Sequence, residues 1–103
     1  MQIIWDEVAA EKLKQSHTVL ELETFQVEDR RIKGYCVVPA EKVINDIAQL
    51  DNLKTLHAEF IKAMNNSDLK LCTDIAEHLK GRFAGELDSF YDIILDRLAH
   101  EQN

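Results

Sequence analysis

The chain has 103 residues, 46% of them hydrophobic and 30% charged, with a formal net charge of −7. That length supports one domain over 1–103 with a single buried core, and the composition excludes global disorder. No apolar run approaches the ~20 residues of a membrane span, and the acidic excess excludes sequence-independent nucleic-acid binding, which runs on lysine and arginine contacts to phosphate.

The start, Met1-Gln2-Ile3-Ile4-Trp5-Asp6-Glu7, turns acidic where a secretory signal is basic and then apolar, so a cytoplasmic location is expected. Trp5, Val8, Ala9 and Leu13 share one helical face, with Asp6 and Glu7 in the first turn and Lys12 and Lys14 in the last, the order favoured by the helix dipole. This predicts a helix over 4–15. Residues 18–38 then read as an antiparallel hairpin. Leu20 and Leu22 alternate with Glu21 and Glu23, as in a strand with one wet face. Phe25 and Val27 share parity with the glutamates, so either a bulge near Thr24 re-aims the strand or both faces are partly covered there. Glu28–Arg31 serves as the loop and Ile32–Val38 as the returning strand, in which Gly34 marks a bulge or a close backbone approach. Two strands alone are marginal in water, so the hairpin must lie on helices or pair with a second copy.

Pro39 ends the strand and opens a helix over 40–65, with apolar residues at helical spacing from Val43 to Met64. Unbroken, it is about 25 residues and about 37 Å long, with Asp51-Asn52 as the one candidate interruption. Ser67 caps a helix over 68–80 that Gly81 stops. The last helix, 84–100, turns Phe83, Leu87, Phe90, Tyr91, Ile94, Leu95 and Leu98 inward, and the tail Glu101-Gln102-Asn103 is expected to be weakly structured. The fold class is α+β: an N-terminal helix, a two-stranded hairpin and three helices forming a helical core. An all-α bundle with 18–38 irregular is the alternative.

Asp88, Asp92 and Asp96 form a stripe of like charges one turn apart, which costs the last helix about 0.2–0.5 kcal/mol per pair. With Glu86 and Glu101 they face only Arg97 in the last fifth of the chain. Arg30, Arg31 and Lys33 form a basic cluster at the hairpin tip. These seven residues, Glu86, Asp88, Asp92, Asp96, Arg30, Arg31 and Lys33, are the candidate partner-binding set. The leading reading is a small acidic interaction module, a regulator, inhibitor or adaptor presenting an acidic helix edge to a basic protein surface. In a homodimer, the basic tip of one copy would lie along the acidic helix of the other.

The alternative is a metal- or small-ligand-binding protein or minor enzyme. Asp74 with His78, and Asp96 with His100, are i,i+4 pairs on neighbouring helices and so candidate metal ligands. His57, on an apolar stripe, is either a proton-transfer group or a core-edge histidine. Cys36 and Cys72 sit in apolar segments and read as buried free thiols. No Gly-x-Ser-x-Gly, phosphate loop or His-Glu-x-x-His is present, so no catalytic residue and no cofactor is assigned.

Overall fold

The computed structural model describes residues 1–101, and the class is α+β as expected. The chain runs β1 (Gln2–Ile4), α1 (Glu7–Leu13), β2 (His17–Val27), β3 (Arg30–Pro39), α2 (Leu50–Asn65), α3 (Leu69–Leu79) and α4 (Asp88–Glu101). Short 3-10 turns occupy Ala40–Lys42, Ile44–Gln49 and Phe83–Gly85. The sheet is antiparallel in the order β1-β3-β2, so the expected two-stranded hairpin has a third strand.

That third strand comes from the residues just before the expected first helix and takes Ile4 from it. Gln2, Ile3 and Ile4 pair with Val37, Cys36 and Tyr35, where two β-branched side chains suit a pleated surface. The helix, expected over 4–15, starts only after Asp6, whose carboxylate accepts from the backbone N–H of Val8 at 2.9 Å. It buries Ala10. Val8 is exposed, and Trp5 precedes the helix altogether.

The hairpin loop is two residues, Glu28-Asp29, shorter than the expected 28–31, because Val27 pairs with Arg30 and Gln26 with Arg31. Of the two readings of the parity slip near Thr24, the structure shows the bulge, between Glu21 and Thr24. Three residues of β2 advance there while β3 advances two, from Tyr35 to Lys33, so the parity of β2 inverts. Leu20 opposes Cys36 before the bulge and Phe25 opposes Ile32 after it. Leu20, Leu22, Phe25 and Val27 therefore all share one sheet face.

The helix expected over 40–65 is broken. Val43 and Asp46, three residues apart, both turn inward, which a 3-10 period allows. Asp46 accepts from the Arg82 guanidinium at 3.2 Å and from the Phe83 backbone N–H at 3.0 Å, and this anchor fixes the register. Ile44 and Ile47, which a continuous helix would bury, are 64% and 67% exposed. Pro39 remains in β3, and α2 keeps only 16 residues.

The cap of α3 is Asp68 rather than Ser67, accepting from the Leu71 N–H at 3.1 Å. Gly81 follows that helix at a φ of 83°. Phe83 and Ala84 also take left-handed φ, 52° and 55°, so α4 begins at Asp88 instead of 84 and Phe83 is buried in the turn before it. Glu101 is helical; Gln102 and Asn103 of the expected loose tail lie outside the described residues.

The main core forms between one sheet face (Leu20, Leu22, Cys36, Val38) and the three C-terminal helices, through Phe60, Cys72, Leu79, Leu87, Tyr91 and Ile94. By strand alternation Tyr35 and Val37 face the other way. There α1, which contacts β2 and β3, covers them. No helix among the described residues is long and apolar enough to cross a membrane.

Candidate interaction surface

The C-terminal helices cover the sheet only as far as Leu22. Beyond the bulge the same face carries Phe25 and Val27, 42% and 50% exposed, beside half-buried Ile32. Trp5, opposite Gly34 in the continuation of β1, lies across this end: its ring centroid is 5.8 Å from that of Phe25. Gly34 has no side chain for a steric reason, since a Cβ there would come 2.9 Å from the indole. The close approach expected at Gly34 is thus made by Trp5, which is itself 51% exposed. An aromatic pair and two aliphatics lie together in solvent, the kind of patch a soluble chain rarely leaves without use.

Arg30 and Arg31 flank this patch, exposed and without an ion pair among the described residues. A cleft of about 310 Å³ brings Arg30, Arg31 and Lys33 together with Trp5, Glu7 and Ile32. Lys33 is tied to Glu21 at 3.0 Å, and this hydrogen bond raises its pKa. The two arginines are therefore the free cations of the tip.

Most of the acidic set is engaged within the chain. Glu86 pairs with Lys42 and with the Met1 amino group at 3.3 Å, contacts that lower its pKa. Asp88 accepts from the Gly81 N–H at 2.9 Å, and Asp92 pairs with Lys80. Asp96 stays exposed, 3.6 Å from His100. The stripe stitches α4 to the turn before it and to the end of α3, which offsets its self-repulsion.

His57 is 2% exposed, with Nδ1 2.9 Å from the Tyr91 hydroxyl and Nε2 2.5 Å from the Glu21 carbonyl. A carbonyl only accepts, so Nε2 carries the proton and Nδ1 accepts from the tyrosine. Burial lowers the His57 pKa and raises that of Tyr91. This is the core-edge histidine reading, with both nitrogens satisfied. It joins α2, α4 and the strand just before the bulge.

The candidate metal ligands are not gathered: among the described residues no three of His, Cys, Asp and Glu form a group able to hold a metal ion. Asp74 pairs with Lys70 at 3.3 Å, and His78 points to solvent. Cys36 and Cys72 are free and buried, and burial pushes each thiol up to about 11, so neither is a thiolate at neutral pH.

Comparison of the chain with protein-family models, with curated proteins and with solved structures finds no match.

Sequence reasoning missed Trp5, Phe25, Val27 and Ile32 as a surface. The parity slip at Phe25 was its visible trace, but periodicity cannot show that the helical layer stops short of it. Ile44 and Ile47, at helical spacing in the sequence, are likewise exposed.

Proposed function

We propose that the chain is a small acidic protein–protein interaction module, acting in the cytoplasm, which docks through the outer half of its hairpin. The observation that carries this reading is the solvent-facing Trp5–Phe25–Val27–Ile32 patch beside two unpaired arginines. Rigid aromatic rings supply contact area at low entropic cost, and arginines at the rim steer and orient a complementary acidic partner. The free, buried thiols of Cys36 and Cys72 support the cytoplasmic setting.

The acidic edge of α4, expected to meet a basic partner, is the competing surface, with Asp96 its most available carboxylate. A pull-down from source-organism lysate separates the two. Three baits are compared after each is shown to fold: wild type, Arg30→Glu with Arg31→Glu, and Asp88→Asn with Asp92→Asn and Asp96→Asn. Loss of a wild-type partner on the arginine variant alone supports the hairpin surface. Loss on the aspartate variant alone transfers the function to α4, and identical background from all three baits rejects both surfaces.

A further inference from the structure

We infer that the hairpin surface docks on a second copy of this chain, head to tail, with the segment Ile44–Gln49 as its counterpart. The inference rests on the interaction reading above and names its partner. Ile44 and Ile47 are three apart in a 3-10 turn, so their side chains eclipse into one apolar ridge. That ridge is exposed, and Glu41 and Asp51, also exposed, flank it without an ion pair among the described residues. One chain thus holds an apolar patch edged by free arginines and an apolar ridge edged by free carboxylates. The two are complementary in both hydrophobicity and charge.

They also lie at opposite ends of the molecule, so neither can satisfy the other within one copy. β3 carries the chain from Arg30 to Pro39, about 30 Å at ~3.3 Å per residue, before the 3-10 turns begin. The 16 residues of α2 then return about 24 Å, ending at Asn65, which lines a cleft with Thr24 of the hairpin. The ridge sits at the start of α2 and the hairpin patch beyond its end. A contact between unlike surfaces leaves one copy with a free head and the other with a free tail, so association continues past the dimer as concentration rises.

The test uses two variants at exposed positions, with folding checked by circular dichroism: Arg30→Glu with Arg31→Glu, which removes the head, and Ile44→Lys with Ile47→Lys, which removes the tail. Sedimentation equilibrium at low salt should give a wild-type mass that climbs beyond twice 11.9 kDa with concentration and falls as salt screens the charges. Each variant alone should stay monomeric. Their equimolar mixture keeps one good head and one good tail, and should give a heterodimer and nothing larger. A wild type that is monomeric at every concentration, or that stops at a dimer, overturns the inference, as does a mixture that remains monomeric. If a monomeric wild type still loses its lysate partner on the arginine substitutions, the interaction reading survives and only self-association falls.

Discussion

At the scale of single residues, two buried polar side chains, His57 and Asp46, hold separate elements together. His57 has no slack: one nitrogen donates to a strand carbonyl and the other accepts from Tyr91. Tyr91→Phe removes that hydroxyl and leaves Nδ1 buried without a donor. Such an unsatisfied group costs about 1–3 kcal/mol, so the urea midpoint should fall with the slope unchanged. Gly34 is bound by geometry instead. Gly34→Ala places a methyl against the indole, which lies at the surface and moves more easily than the strand. Trp5 is the only tryptophan in the sequence, so its emission should shift to the red while the global transition barely moves.

At the scale of elements, the two helices that depart most from their expected bounds do so around Asp46. Its carboxylate takes the Phe83 N–H and the Arg82 guanidinium, and it thereby holds two consecutive non-glycine residues in left-handed conformation. Left-handed backbone costs roughly 1–2 kcal/mol per residue, so the turn needs such an anchor. Asp46→Ala should destabilise the chain by about 2–3 kcal/mol, as loss of hydrogen bonds to a charged group does, measured by thermal or urea unfolding. Capping explains the other boundary shifts. Asp6 and Asp68 bind the first-turn N–H groups of α1 and α3, so those helices begin where a carboxylate stands, not where the apolar period begins.

For the whole molecule, extents of 40 × 34 × 18 Å describe a flat body with the hairpin patch toward one end. Its pH response is governed in part by the buried imidazole. Burial holds the folded-state pKa of His57 below the ordinary 6.5, so the unfolded chain binds the proton first as pH falls. The associated stability is fully present above pH 6.5 and is lost below it, at up to about 1.4 kcal/mol per pH unit until the folded-state value is reached. His57→Gln should flatten the urea midpoint between pH 6.5 and 5 relative to wild type; parallel curves would show that other groups dominate.

What the amino-acid sequence determined by itself is whatever local periodicity and chain chemistry encode. That covers the α+β class, the hairpin with its parity slip near Thr24, the stop at Gly81 and the inward stripe of α4 from Phe90 to Leu98. Tertiary structure decided the rest. Ile4 fits the period of the first helix, and only the free edge of β3 draws it into a strand. Val43, Ile44 and Ile47 fit a continuous helix until Asp46 is drawn inward to Arg82 and Phe83. In the sequence, Asp88 and Asp92 read as carboxylates free to meet a partner, because Gly81 and Lys80 reach them only after the chain turns. Phe25 and Val27 have the composition of core residues; they face water because the helical layer ends at Leu22, a boundary set by packing between distant segments and written in no local pattern.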